Sequence, residues 1–335
     1  MTRLTAVRRL TDPWILGGIT IPNRVVLAPL AGIGNWFVRL QAKRYGAGLA
    51  VSEMVSSFAI HHENRRTLDE LLVVHPDERA GGPVAIQLFG QDPDVMRSAA
   101  AAAAERGADL IDLNMGCPVP KVMKTGAGAA LIRDPDTAVA VARAAREGSG
   151  LPVTVKLRAA LAPGGVEGFN LGRRLVEDAG VAGLTFHPRS AAVRHSGTPD
   201  YALAARLVAA LPVPVIVSGG MAGAEHIRDV FESTGCAAVM LARGALGNPW
   251  LFAQVLGTRT TEPAADEVID EWRWVLDRAA EHLGPDRAAR YLRKFHPWYV
   301  ERLGEGRAVQ AALQQAGSLA EQRALIEGLR PLVAA

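Results

Sequence analysis

The 335-residue sequence predicts an α/β fold, a (β/α)8 TIM barrel with a C-terminal helical bundle domain. Three observations predict it. Eight short apolar segments alternate with longer helical ones, the pattern of parallel βαβ units. These units occupy about 230 residues, a usual span for such a barrel. Beyond residue 257 the strand-like segments stop and only helical spacing continues, so a barrel is expected over 1–257 and a bundle over 258–335. An open doubly wound sheet would share the local pattern, and the count of eight favours closure.

Ahead of the first unit, Gly17-Gly18 between Ile15-Leu16 and Ile19-Thr20-Ile21 reads as a hairpin capping the lower end of the barrel. Val25 to Ala28 reads as the first strand, followed by a helix from Trp36 to Tyr45. Leu49 to Ser52 is the second strand and Val84 to Leu88 the third. Asp92-Pro93-Asp94 then opens a helix at Val95 to Arg106, with acidic residues in its first turn. Leu110 to Asn114 is the fourth strand, with a helix near Pro135 to Arg146 behind it. Val153 to Lys156, Gly183 to His187, Val215 to Ser218 and Ala238 to Ala242 complete the eight. Helices are expected near Gly168 to Ala179, Tyr201 to Ala210, Gly223 to Ser233 and Pro249 to Leu256. In the tail, Val268, Ile269, Trp272, Val275 and Leu276 share one helical face, and segments at Pro285 to Leu303, Ala308 to Gln315 and Leu319 to Leu332 complete the bundle.

Composition narrows the function. At 49% hydrophobic and 21% charged residues the chain has ample core material, which excludes wholesale disorder. Two cysteines, Cys117 and Cys236, are too few for a disulfide framework or a four-cysteine zinc site. There is no apolar run of about 18 residues and no apolar stretch behind the basic N-terminus, so a soluble cytoplasmic protein is expected. The net charge of +3 is modest; lysines are few, at Lys43, Lys121, Lys124, Lys156 and Lys294, and two of them flank a cysteine loop.

In a barrel the chemistry belongs at the C-terminal ends of the strands. Those ends carry Pro29, Gln87, Asn114, Lys156, Arg158, His187, Arg189 and Ser218-Gly219-Gly220, a set suited to a flat hydrogen-bonding ring attached to a phosphate. The glycine-rich turns after strands seven and eight, at Ser218 to Gly223 and Ala242 to Gly247, let backbone N–H groups approach an anion, and Arg243 beside Gly244 adds a charge-assisted contact. Gly32-Ile33-Gly34 and Gly126-Ala127-Gly128 do not complete a dinucleotide fingerprint. Cys117, between Gly116 and Pro118, faces the barrel mouth as either nucleophile or proton donor, while Cys236 reads as a buried small residue. The segment Lys121 to Gly128 reads as a mobile cationic loop. Lys156 ends an apolar strand and needs an acceptor, either the N1/O2 edge of a flavin or a carboxylate such as Asp112 or Glu53. His187 suits either a ligand contact or a satisfied core histidine. His61-His62-Glu63 lacks a third ligand at suitable spacing, so no metal is expected. Arg287, Arg290, Arg293 and Lys294 recur at helical spacing beside His296, Trp298 and Tyr299, which suits either a phosphate backbone or a solvated helix face.

Together these segments resemble the bacterial tRNA-dihydrouridine synthases. The resemblance rests on Leu27-Ala28-Pro29-Leu30-Ala31-Gly32, Ser52 to Ser56, Gln87 to Gly90, and Asp112-Leu113-Asn114-Met115-Gly116-Cys117-Pro118. It continues through Gly126 to Leu131, Val155 to Arg158, His187 to Ser190, Arg243 to Trp250 and Arg293 to Tyr299. It implies a barrel holding FMN, NADPH as reductant, tRNA as substrate and a helical domain that helps hold the RNA. Cys117 matches the catalytic general acid. Pro29, Gln87, Lys156, His187, Ser218, Gly219, Gly220, Arg243 and Gly244 fall at cofactor positions, and Asn114 falls near the target uracil. Lys121, Lys124, Arg158, Arg287, Arg290, Arg293 and Lys294 are the candidate RNA contacts. The chain departs from the family pattern at Ser218, Ser190 and Ala242, where the family usually has Asn, Thr and Gly. Two alternatives are another FMN barrel, a dihydroorotate-dehydrogenase-like or ene-reductase enzyme on a free small molecule, and a non-catalytic tRNA-binding protein.

Overall fold

A computed structural model describes residues 8–330. It divides into two compact units, the first ending at Ala242 and the second beginning at Arg243. The division thus falls ahead of the expected boundary at 257, and the helix at Trp250–Leu256 belongs with the second unit.

The first unit opens with an antiparallel hairpin, β1 (Trp14–Leu16) and β2 (Ile19–Ile21). Then come β3 (Val25–Leu27), α1 (Trp36–Arg44) and β4 (Leu49–Ser56). Where one helix would complete the second unit of the repeat, the chain makes three short ones: α2 (Ser57–His61), a π-helical turn at Thr67–Leu71, and α3 (Pro76–Ala80). Next are β5 (Val84–Phe89), α4 (Pro93–Glu105), β6 (Leu110–Met115) and α5 (Pro120–Met123). A 3-10 turn at Gly128–Arg133 leads into α6 (Pro135–Ser149), β7 (Val153–Arg158), α7 (Glu167–Ala179) and β8 (Gly183–His187). The unit ends with α8 (Tyr201–Ala210), β9 (Val215–Ser218), α9 (Ala224–Thr234) and β10 (Ala238–Leu241).

Strands β3 to β10 form a closed, all-parallel barrel in chain order, with β10 pairing back onto β3. Two of its long helices start the same way. Asp92 and Asp134 each accept a backbone N–H from the first helical turn, and each is followed by proline, which needs no hydrogen-bond partner there. Val26, Leu49, Val51, Ala85, Leu110, Ile216 and Met240 fill the interior near the strand starts. Trp14, Leu16 and Ile21 of the hairpin belong to the same cluster, and Leu16 reaches the first residue of β8. One end of the barrel is therefore plugged by apolar side chains, which leaves the other end for chemistry.

The second unit begins with a 3-10 turn at Arg243–Ala245 and α10 (Trp250–Leu256). It continues with α11 (Ala265–Leu283), α12 (Pro285–Leu292), α13 (His296–Arg302), α14 (Arg307–Gln315) and α15 (Leu319–Glu327). The apolar face of α11 is buried at Val268, Ile269, Trp272, Val275 and Leu276. Trp272 stacks on Tyr299 at 5.2 Å between ring centroids and donates its indole N–H to His296 Nδ1 at 3.3 Å. The segment expected at Pro285 to Leu303 forms two helices, because Pro297 cannot donate in a helix interior and so sits in the first turn of α13.

Candidate active site

The barrel interior changes from apolar to polar along the strand direction. Side chains at i and i+2 of a strand share a face, so Asp112 and Asn114 on β6 line the interior together, as do Thr154 and Lys156 on β7. The register sets Gln87 beside Asp112 and Asn114 beside Lys156. His187 and Ser218 close β8 and β9.

Asp112 is fully enclosed. One of its oxygens accepts from Gln87 Nε2 and the other from Thr154 Oγ1, both at 2.6 Å. Burial pushes its carboxyl up to about 6, against the opposing pull of those two bonds and of Lys156. Glu53 is engaged as well, accepting the Gly32 N–H at 2.7 Å. Neither carboxylate pairs with Lys156, whose ammonium donates no hydrogen bond to any described residue. Burial, and then the Arg158 charge, draw the Lys156 ammonium down to about 8. The carboxylate partner weighed for Lys156 from sequence is therefore not formed, and its donors are left for a ligand.

His187 is buried, with Nε2 at 3.3 Å from the Arg189 guanidinium. A guanidinium only donates, so Nε2 is the acceptor and Nδ1 carries the proton. Burial first, then the charges of Lys156, Arg158 and Arg189, hold the ring far below its ordinary value, so it stays neutral. Gly219 has φ +98°, and a methyl group there would come within 2.3 Å of the His187 ring. Only glycine allows the turn after β9 to lie this close to the imidazole. Tyr201 supports the same turn by donating to the Gly219 carbonyl at 2.8 Å. Tyr201 sits well past the strand ends in sequence, and no local signal marked it.

Cys117 is half-buried at the same mouth. Its N–H donates to Asn114 Oδ1 at 2.9 Å, and its carbonyl accepts from Ala129 N at 3.0 Å. A methyl at Gly128, where φ is +62°, would meet that carbonyl at 2.8 Å, so a glycine with no place in a dinucleotide fingerprint shapes the cysteine loop instead. The expected loop after Cys117 is in part helical: Lys121 lies in α5, and Lys124 caps it, both exposed.

Arg158 is buried, and its guanidinium donates to the carbonyls of Gly116 at 2.9 Å, Ser190 at 3.0 Å and Arg194 at 2.7 Å. It ties the cysteine loop to the segment after β8 and does not face solvent. Pro29 follows β3, part-buried. The structure thus gathers Gln87, Asn114, Cys117, Lys156, His187, Ser218 and Gly219 at one end of the first unit, with Gly220 exposed beside them.

In the second unit Arg243 is exposed and Gly244 part-buried in the 3-10 turn. Arg287, Arg290 and Lys294 are exposed on or just after α12, with Lys294 over the Tyr291 ring at 4.4 Å. Arg293 differs: it is half-buried and turned into the bundle, where it reaches the Ala316 carbonyl at 3.4 Å. Among the described residues no three His, Cys, Asp or Glu side chains converge as metal ligands, and no helix is long and apolar enough to cross a membrane.

Known proteins share both the barrel and the sequence. Morphinone reductase in complex with tetrahydroNAD superposes with a TM-score of 0.53 at 17% identity, over 78% of this chain and 94% of that one. Histamine dehydrogenase from Rhizobium gives 0.56 at 15%, over 75% of this chain and 48% of that one. At such identities they speak for the fold alone. Closer in sequence, tRNA-dihydrouridine synthase B of Xanthomonas campestris is 34% identical over 317 residues, 92% of this chain and 93% of that protein. The probable tRNA-dihydrouridine synthase of Mycobacterium tuberculosis is 37% identical over 331 residues, 94% of this chain and 84% of that protein. The family model described as dihydrouridine synthase matches residues 26–332, so it spans the polar end of the barrel and the helices after it, and the chain belongs to that family.

Proposed function

We propose that this chain reduces particular uridines in tRNA to 5,6-dihydrouridine, with FMN as resident cofactor and NADPH as reductant, in the cytoplasm. The residues at the mouth fit FMN. The Lys156 ammonium has no protein acceptor, His187 carries a neutral Nδ1–H, and the glycine turn at Gly219 lies close against the imidazole. Gln87, Lys156 and His187 would hold the ring with Pro29 beside it, while Ser218, Gly219 and Gly220 would hold the phosphate end. Bound there, FMN would supply a hydride for C6 of the uracil.

The chain's own part is to admit the base and deliver the proton. A nucleobase in folded RNA has to leave its stack before an enclosed site can act on it. Lys121, Lys124, Arg287, Arg290 and Lys294, all exposed, would neutralise backbone phosphates. Arg158 and Arg293 are reassigned to positioning, since both guanidinium groups face backbone carbonyls. Asn114 would orient the uracil. The Cys117 thiol would give its proton to C5, completing the addition of hydride and proton across the double bond. The single observation that carries this reading is a half-buried Cys117 held by Asn114 at the barrel end where the Lys156 ammonium lacks a partner.

Cys117→Ala tests it. The variant is expected to retain bound FMN and to oxidise NADPH while forming no dihydrouridine in tRNA, read by nucleoside mass spectrometry. Wild-type yields from that variant would remove the thiol from the reaction. Turnover of orotate or enones without RNA would favour a small-molecule reductase.

A further inference from the structure

The reaction just proposed gives no part to Asp112, a buried titratable group among the polar residues of the barrel. A carboxylate accepts and never donates, so the Gln87 atom facing it at 2.6 Å is the amide nitrogen. Gln87 Oε1 is then free to accept from Asn114 Nδ2, which it does at 2.9 Å. That turns Asn114 Oδ1 toward the N–H groups of Gly116 at 3.2 Å and Cys117 at 2.9 Å. Backbone N–H groups only donate. Flipping either amide would set donor against donor or acceptor against acceptor at both of its ends, so the two orientations are fixed from the carboxylate and from the cysteine loop together. Thr154, donating to the second carboxylate oxygen, leaves Asp112 no other use for its acceptors along this line.

We propose that Asp112 is a positioning residue for Cys117, setting through Gln87 and Asn114 the direction of a hydrogen-bond chain that anchors the cysteine backbone at the barrel mouth. The proposal builds on the reading of Cys117 as proton donor to a uridine. It also fixes what Asn114 offers the substrate. Its oxygen is committed to the protein, and its remaining N–H meets only the Met54 sulfur, at 3.6 Å. Asn114 therefore presents a donor, and its partner on the base is a carbonyl oxygen rather than an N–H.

The test uses FMN-loaded protein and two readouts: dihydrouridine formation at saturating tRNA, and the rate of Cys117 alkylation by iodoacetamide, to which the buried Cys236 does not contribute. Asp112→Leu removes the terminal acceptor; it is expected to lower kcat about tenfold or more and to speed alkylation by about threefold as the loop loses its anchor. Asp112→Asn keeps an acceptor toward Gln87 but no charge, and is expected to bring both readouts back to within about threefold of wild type. An independent pair covers the case in which Asp112→Leu does not fold. Gln87→Glu sets two carboxylates face to face and should show both defects. Adding Asp112→Asn restores a donor facing an acceptor and should relieve them. Wild-type readouts in Asp112→Leu, or in Gln87→Glu where that is the variant that folds, would overturn the proposal. So would equal damage in Asp112→Asn and Asp112→Leu, which would make the charge and not the direction the essential property. Because alkylation needs no RNA, the same pattern of rates in an enzyme that makes no dihydrouridine would defeat the functional reading and leave the chain of hydrogen bonds standing.

Discussion

Lys156 sits among the strand ends with its charge enclosed and no protein acceptor, an arrangement that folding alone would not favour. Its ammonium is drawn from 10.5 down to about 8, so between those values the unfolded chain binds more protons than the folded one. Stability of the FMN-free protein should therefore rise with pH across that window, and below about pH 8 the whole cost applies. That cost is on the order of 3 kcal/mol. Lys156→Met should accordingly raise the melting temperature of FMN-free protein at pH 7, and the gap should close as the pH approaches 10.5. The same variant should lose FMN on gel filtration. A wild-type melting temperature that stays flat from pH 8 to pH 10 would show that the ammonium is already compensated. Position was legible here and partnership was not: an apolar strand ending in lysine announces a functional group, but the absence of a bond to Asp112 depends on Gln87 and Thr154, which come from two other strands.

The segment between β4 and β5 shows what sets the limit at the scale of elements. Its helices α2 and α3 are five residues each, too short to stand alone and too short to display a periodic apolar face. Tertiary contacts hold them. Arg39 of α1 is fully buried; it donates to both oxygens of Glu78 in α3 and to the carbonyls of Gly34 and Val73. Lys43, one turn later, reaches the carbonyls of Glu78 and Gly82. Such a clamp depends on side chains far apart in sequence and leaves no local trace, whereas the eight strands of the barrel announce themselves through continuous apolar runs. Removing one partner from a buried, fully engaged ion pair leaves the other uncompensated. Arg39→Met should therefore destabilise the first unit by about 3–5 kcal/mol, read from the urea midpoint. A loss within the range of a surface substitution, about 0.5 kcal/mol, would mean that the clamp follows the fold instead of holding it.

Across the whole molecule, the chain carries two units of different character, a closed barrel with a polar end and a helical unit with an exposed cationic stripe. The stripe read from sequence contained four residues; the structure keeps three of them, because Arg293 is spent on the Ala316 carbonyl and on the bundle interior. The tail is not basic as a whole, with ten basic and 12 acidic residues after residue 260, and much of that charge is consumed in pairs such as Arg330 with Asp266 and Arg323 with Asp277. The exposed cations on or just after α12 are Arg287, Arg290 and Lys294, with the Tyr291 ring beneath the lysine. Each phosphate neutralised on binding releases counterions, and the logarithm of the binding constant falls with log salt by about 0.7–0.9 per contact. Replacing the three by alanine should flatten the salt dependence of tRNA binding by about two units and weaken binding several-fold at low salt, with the melting temperature preserved. Arg293→Ala should do the reverse, lowering the melting temperature of the helical unit while leaving the slope in place. An unchanged slope in the triple variant would return the stripe to the role of a solvated helix face and move the search for the RNA surface to the exposed Lys121 and Lys124 beside the cysteine loop.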